Sequence, residues 1–160
     1  MKGLNKKGAR LLIKRLEKFG IKINDDLIDN VIDKTSCYPL YIQSFALSCY
    51  LYAKSMGKRK ITQKDLNPIW EKSFKLLYLH FQDLITRLSD KSVNILSTMA
   101  VNDLHSPAEI AKSINEKLTS MGAYLPRLIN EGYVERIGSG RYNISDPMFN
   151  EWLRLQYGSE

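Results

Sequence analysis

The stretch that most constrains this chain is Ser106-Pro107-Ala108-Glu109. A serine at an N-cap accepts from first-turn amides, a proline at the first helical position lacks an amide that would be orphaned anyway, and a glutamate at the third reaches back to the cap. All three together mark a helix start. The residues after it keep to that reading. Ile110, Ala111 and Ile114 recur at helical spacing, residues 115–117 make a turn, and another helix is expected from about 119 to 131, closed by Gly132. Leu118, Met121, Leu125, Leu128 and Ile129 are expected inside that helix's face, with Pro126 kinking it by removing one backbone bond. Upstream, residues 89–92 open a helix carrying Val93, Ile95, Leu96, Met99 and Ala100. Downstream, 133–137 and 141–144 read as strands around Gly138-Ser139-Gly140, and Asp146-Pro147 caps a last helix with Phe149, Trp152 and Leu153. Helix, helix, helix, hairpin, helix over 89–156 predicts a winged helix-turn-helix with one β-hairpin.

The first half is helical throughout. Ala9, Leu12, Ile13, Leu16 and Phe19 form a stripe over residues 5–19, ended by Gly20, with Lys7, Arg10, Lys14 and Lys18 on another face. Asn24 is an expected N-cap, followed by Asp25 and Asp26 in a first turn and by the buried stripe Leu27, Ile28, Val31, Ile32. Residues 39–56 form a third helix, apolar nearly all round. Ile42, Phe45, Ala46, Cys49, Ala53 and Met56 make one face; Leu40, Leu47 and Leu51 make another. Such a helix is expected to be covered on several sides. Either some of Tyr38, Tyr41, Tyr50 and Tyr52 form an exposed patch, or a second copy of the chain covers them. Thr62-Gln63-Lys64-Asp65 is a capping-box variant that opens a helical run to about Leu88, with a break expected near Pro68. The expected organisation is a mostly α chain: a helical subdomain over 1–72, a connecting helix over 73–88 and the winged-helix domain over 89–160.

Composition excludes several classes. At 44% hydrophobic and 26% charged, the 160-residue chain can bury a core. No Gly-x-x-x-x-Gly-Lys-[Ser/Thr] occurs, so no phosphate-cradling loop of that type is present. Two cysteines make no disulfide framework, and His80 and His105 complete no metal spacing; free thiols in a reducing cytoplasm are expected. The longest apolar run, 40–53, contains Gln43, Ser44 and Ser48 and is shorter than the roughly 20 residues a bilayer needs. No membrane partner, signal peptide or anchor is expected. The net charge of +7 favours a polyanion, but its distribution is uneven. Lys and Arg outnumber Asp and Glu thirteen to five in residues 1–60, match them in 61–105, and fall to six against seven in 106–160.

The segment Tyr142-Asn143-Ile144-Ser145-Asp146-Pro147-Met148-Phe149-Asn150-Glu151-Trp152-Leu153 resembles the end of the winged-helix domain in archaeal-type ATPases of the AAA+/STAND group. That pattern is a tyrosine, an aliphatic residue, Asp-Pro, an aromatic residue and Trp-Leu. Residues 124–128 and 132–136 are similar to the same domain. Thr35-Ser36-Cys37-Tyr38-Pro39-Leu40-Tyr41-Ile42 resembles the Thr-Gly-Gly-x-Pro-x-Tyr-[Ile/Leu] stretch of that family's helical lid, with Ser36 and Cys37 in place of the glycines. The resemblance covers nearly the whole chain and lacks the ATPase core. It implies a lid over 1–72 that couples nucleotide state to DNA or partner binding, with the parent's ATPase core as a partner. ATP and magnesium are implied only for that core, and no cofactor for this chain. Tyr38, Pro39, Tyr41 and Ile42 are the nucleotide-facing lid candidates. Residues 39–48 contain no Arg or Lys to act as a sensor for the γ-phosphate.

No catalytic residues are expected, and the chain itself is not expected to be an enzyme. Asp25 and Asp26 point apart on a helix, and Asp103, His105 and Ser106 fit a loop and a cap better than a triad. For duplex DNA, the outward candidates are Lys117, Ser120, Tyr124 and Arg127 on the third helix of the winged domain, with Arg136, Ser139 and Arg141 on the wing. Tyr124, Arg127 and Arg141 are expected on one continuous surface. Glu116, Glu131 and Glu135 lie among them, a poor footprint for phosphate. Alternatives are a stand-alone winged-helix transcriptional regulator whose first 72 residues are a dimerisation or effector module, and a winged helix used for protein docking.

Overall fold

The computed structural model describes residues 3–158. They fall into two units, Met1–His80 and Phe81–Glu160. Both are mostly helical.

In the first unit, α1 (Lys6–Lys14) starts where the Asn5 side chain accepts from the Gly8 amide at 2.7 Å. It buries Ala9 and Ile13. The chain then tightens into a 3₁₀ turn over Arg15–Phe19 and stops at Gly20, whose φ of 75° suits a residue without a Cβ. The change of pitch takes Phe19 off the apolar stripe. It was expected inside, and it is 67% exposed. After β1 (Lys22–Ile23), α2 (Asp25–Thr35) buries Leu27, Ile28, Val31 and Ile32. Asn24 stands at its N-cap but makes no side-chain cap bond. Helix α3 (Pro39–Met56) buries Ile42, Phe45, Cys49 and Ala53. Its second apolar face is only partly covered by the described residues: Leu40, Leu47 and Leu51 are 43%, 48% and 43% exposed, and Met56 is exposed as well. Of the four tyrosines expected in an exposed patch, Tyr41 is buried and Tyr38, Tyr50 and Tyr52 are half-buried.

After Gly57, β2 (Lys60–Ile61) pairs in parallel with β1, Lys22 opposite Lys60 and Ile23 opposite Ile61. The isoleucines are buried and the lysines exposed. The 3₁₀ turn Gln63–Asp65 carries the expected capping box, and α4 (Leu66–Thr86) follows. Pro68 does not break it, because proline is tolerated in a first turn. The division between units falls within α4, between His80 and Phe81. Ile69, Trp70, Phe74 and Leu77 from α4 complete the first core, with the Phe45 and Trp70 rings 4.5 Å apart.

In the second unit, α5 (Asp90–Asn102) is capped by Ser89, whose hydroxyl accepts from the Ser92 amide at 3.2 Å. Helix α6 (Pro107–Ser113) has the full capping box of Ser106 and Glu109. Helix α7 (Leu118–Asn130) is uninterrupted across Pro126, which removes the amide that would meet the Gly122 carbonyl. Both residues are exposed, so water can take the orphaned carbonyl. The buried stripe of α7 is narrower than its sequence implies. Met121, Leu125 and Leu128 are inside, while Leu118 at the helix's first position and Ile129 beside Leu128 are exposed. Strands β3 (Val134–Gly138) and β4 (Arg141–Ile144) form an antiparallel hairpin with an irregularity between Arg136 and Gly138. Asp146 then caps α8 (Pro147–Tyr157) by accepting from the amides of Met148 and Phe149 at 2.9 and 3.2 Å. Phe81, Phe149 and Trp152 stack in the core with centroids 5.4–6.0 Å apart. No helix among the described residues is long and apolar enough to cross a membrane.

Candidate functional site

In the second unit, α7 and the hairpin carry the residues selected for DNA. Lys117 stands at the N-cap of α7 and is exposed. One turn on, the Ser120 hydroxyl, half-buried, donates to Glu116 at 3.4 Å. Tyr124 is half-buried too, with the Lys91 ammonium 6.0 Å from its ring centre. Lys91 is ion-paired with Glu116; that contact pushes the lysine's pKa up and holds the glutamate's down. The Arg127 side chain is exposed, and its Nε donates to Glu131 at 2.9 Å across one helical turn. On the hairpin, Arg136 Nε donates to the Gly138 carbonyl at 3.1 Å, and Ser139 and Arg141 are exposed. Of the four selected cations, Arg127 is thus ion-paired with a carboxylate. An exposed pair of this kind is worth between nothing and about 1 kcal/mol, so it is readily exchanged for a phosphate.

In the loop before α6, Asp103 lies 3.5 Å from His105 Nε2, while the Ser106 hydroxyl is engaged by Glu109. Ser106 Oγ donates to Glu109 at 2.6 Å. The Ser106 hydroxyl and amide hold the Glu109 carboxyl below the usual carboxylate range. His105 Nδ1 donates to the Tyr142 carbonyl at 3.0 Å, which ties the loop to the hairpin. Asp103, at φ 53°, accepts from Arg154 at 3.2 Å. Among the described residues no group of three His, Cys, Asp or Glu side chains is arranged to hold a metal ion.

In the first unit, the lid candidates separate. Tyr41 and Ile42 are buried, so they lie in the core of the unit; Tyr38 and Pro39 are half-buried and keep an accessible edge. The Tyr38 and Tyr41 rings meet edge to face at 5.6 Å, and Tyr41 meets the His80 ring at 5.9 Å. The turn before α3 holds two non-glycine residues at positive φ, Ser36 at 49° and Cys37 at 60°. Left-handed backbone costs a residue with a Cβ roughly 1 kcal/mol or more. These are the two positions at which the resembled motif has glycine. The turn is pinned all the same: Leu4 N–H donates to the Cys37 carbonyl at 2.8 Å and Tyr38 N–H to that of Thr35 at 3.0 Å.

One cluster in the first unit escaped sequence reasoning in part. Asp65, 1% exposed, accepts from the Tyr52 hydroxyl at 2.9 Å, from the Thr62 amide and hydroxyl at 2.8 and 2.7 Å, and from Lys58. Burial pushes its carboxyl up, but the bonds from Lys58, Thr62 and Tyr52 outweigh that and hold it well below the usual range. Cys49 feels the opposite: burial, and then the Asp65 charge, push its thiol up and keep it protonated. Thr62 and Asp65 are legible as a capping box. Tyr52 and Lys58 leave no sequence signal, because only the packing of the 57–65 loop on α3 brings them in.

No protein-family model matches the sequence. No curated protein matches it either. Among solved structures, the chain is similar to the Walker-type ATPase PABY2304 of Pyrococcus abyssi, with a TM-score of 0.67 at 18% identity. The likeness covers 96% of this chain and 43% of that one, so the chain spans less than half the length of the ATPase it matches. At that identity the shared property is the fold: most of the chain has the architecture of part of an archaeal Walker-type ATPase.

Proposed function

We propose that the chain is the helical lid and winged-helix region of an archaeal-type AAA+/STAND ATPase, coupling the nucleotide state of a core to DNA or partner binding. The observation that carries this reading is the fold likeness, which takes in nearly all of this chain and under half of a Walker-type ATPase. The remaining length of such a protein is ample for a nucleotide-binding core. The turn at Ser36 and Cys37 supports it, since the backbone there has the left-handed form that a Gly-Gly pair adopts freely. The accessible edges of Tyr38 and Pro39 are the lid's contribution toward a nucleotide. ATP and magnesium would belong to the core, and isolated residues 1–160 are expected to release no phosphate above background. In-frame sequence upstream of Met1 tests the reading directly: a phosphate loop and an acidic strand there support it, and an upstream stop codon sinks it.

The second unit would then meet duplex through Lys117, Ser120, Tyr124 and Arg127 on α7 and Arg136, Ser139 and Arg141 on the hairpin. Eight Lys/Arg against ten Asp/Glu in residues 81–160 make this a weak electrostatic site. Affinity of the isolated chain for duplex is expected in the nonspecific range of about 10⁻⁴–10⁻⁶ M. By anisotropy titration, Arg127→Ala and Arg141→Ala should each weaken it and lower the salt slope by about one unit. Duplex binding indifferent to both would transfer the unit's role to protein docking.

A second reading rests on the partly covered face of α3. Leu40, Leu47 and Leu51 need a cover, and a second copy of the chain would supply it in a stand-alone winged-helix regulator. Sedimentation equilibrium separates the two: a dimer dispersed by Leu47→Glu favours the regulator, a monomer the ATPase.

A further inference from the structure

The basic charge of the chain has a definite address, and it is not the winged-helix unit. Residues 1–80 carry sixteen Lys and Arg against seven Asp and Glu. Much of that excess is spent internally. Arg10 is bonded to Asp25 and Asp29, Lys14 to Asp25 at 3.3 Å, Lys6 to Asp33 at 3.4 Å, and Lys58 to the buried Asp65. Three cations remain together without a carboxylate partner among the described residues: Lys22, Arg59 and Lys60. The parallel pairing of β1 and β2 fixes them. Lys22 lies directly opposite Lys60, both side chains on the exposed face, and the Lys22 amide donates to the Arg59 carbonyl at 2.8 Å. Like charges opposite one another oppose the pairing that holds them. The two isoleucines buried beneath, Ile23 and Ile61, offset that repulsion, so the structure holds a cationic track that its own acids do not neutralise.

The track runs into an aromatic groove. Arg59 and Lys58 line it together with Phe19, Tyr50 and Lys54. Phe19 is the most exposed aromatic ring of the unit at 67%, held edge-on to Tyr50 with centroids 5.5 Å apart. Lys54 donates to the Tyr50 hydroxyl at 2.9 Å and so fixes the groove's back wall. Glu17 and Asp26 line a different groove with Lys22 and bound the track on that side. A phosphodiester backbone fits fixed, unpaired cations. An exposed ring beside them fits an unstacked base, which a duplex does not offer.

We infer that the first unit binds single-stranded nucleic acid across β1 and β2, with Lys22, Arg59 and Lys60 on the phosphates and Phe19 stacked on a base. This site is independent of the ATPase reading and of the α7 and hairpin residues. The test is anisotropy of a labelled twenty-nucleotide oligothymidine and of a duplex of equal length, titrated with the full chain at 50 mM and 200 mM salt. The wild-type chain binds the single strand. The triple variant Lys22→Ala/Arg59→Ala/Lys60→Ala loses at least tenfold, and its salt slope falls by about two units, at about 0.7 per lost phosphate contact. Phe19→Ala weakens the single strand about tenfold and leaves the duplex unchanged; Phe19→Trp restores it. Arg127→Ala/Arg141→Ala leaves the single strand unaffected. All the altered side chains are exposed, and the triple variant relieves repulsion, so thermal melting should show each variant folded and the triple variant no less stable. A wild-type chain that ignores the oligonucleotide at 50 mM salt overturns the inference. So does a triple variant that binds as the wild type does. Loss of single-strand and duplex binding together, indifferent to Phe19, overturns the single-strand assignment as well.

Discussion

Each unit contains one capping box, and the two differ in a single respect. Ser106 and Glu109 close theirs at the surface, where water competes for every bond. Thr62 and Asp65 close theirs under cover, with Tyr52 and Lys58 drawn in to complete the carboxylate's partners. The same local chemistry therefore acts as a helix start in one unit and as the anchor of a whole loop in the other. What sets the difference is burial: a carboxylate removed from water must find every partner inside the protein. Both cores are closed by aromatic rings, Phe45 and Trp70 in the first and Phe81, Phe149 and Trp152 in the second, but the first adds a buried carboxylate at its edge.

The largest effect should come from the rings. Trp152→Ala removes a ring stacked on both Phe81 and Phe149 and should cost about 3–5 kcal/mol in urea unfolding. Next comes Asp65→Ala, which orphans the Thr62 amide and the Tyr52 hydroxyl; about 2–3 kcal/mol is expected. Asp65 also has a pH signature. Its folded-state pKa lies below the unfolded value of about 4, so its contribution is complete above pH 4 and is lost as pH falls toward the folded-state value. Acid titration of Asp65→Asn should show that part of the acid sensitivity missing. Ser106→Ala, the exposed counterpart, should cost about 1 kcal/mol. Equal losses for Asp65→Ala and Ser106→Ala would mean that burial does not separate the two boxes.

Two smaller substitutions should raise stability, both in the first unit. Ser48 Oγ is buried without a hydrogen-bond partner among the described residues, and Ser48→Ala removes that unmet group for a gain of about 1 kcal/mol. Cys37→Gly relieves a left-handed backbone, with part of the relief lost to chain entropy, for about 0.5 kcal/mol. Differential scanning calorimetry reads both. A loss with Cys37→Gly would mean that the half-buried thiol contributes more by packing than its backbone costs.

The second unit was the more legible because its signals are local. Ser106-Pro107-Ala108-Glu109, Gly138-Ser139-Gly140 and Asp146-Pro147 each fix their element from neighbours in sequence, and the structure has a helix, a hairpin and a helix there. The misreadings concern coverage. Leu40, Leu47, Leu51, Leu118 and Ile129 all fit an apolar stripe, but periodicity says which side chains share a face and not how wide a strip the neighbouring elements cover. Phe19 was lost to a change from α to 3₁₀ pitch that no composition signal announces. The pairing of Lys22-Ile23 with Lys60-Ile61 was beyond sequence reasoning, since two-residue strands carry too little alternation to be seen. With it went the clustering of Lys22, Arg59 and Lys60, and the fourfold bonding of Asp65 was hidden for the same long-range reason. Of the selected interface, the outward placement of Lys117, Arg127, Arg136 and Arg141 was legible from helix and hairpin geometry.

That small parallel ladder also sets a clock. Parallel strands need a crossover, and here the crossover is the whole of α2 and α3. The ladder forms only after a long loop has closed, late among the unit's contacts, and its isoleucines Ile23 and Ile61 are buried in the core of the unit. The Lys22 amide, held by the Arg59 carbonyl, should therefore exchange its hydrogen only when the first unit opens as a body, although it sits at the surface beside an exposed lysine.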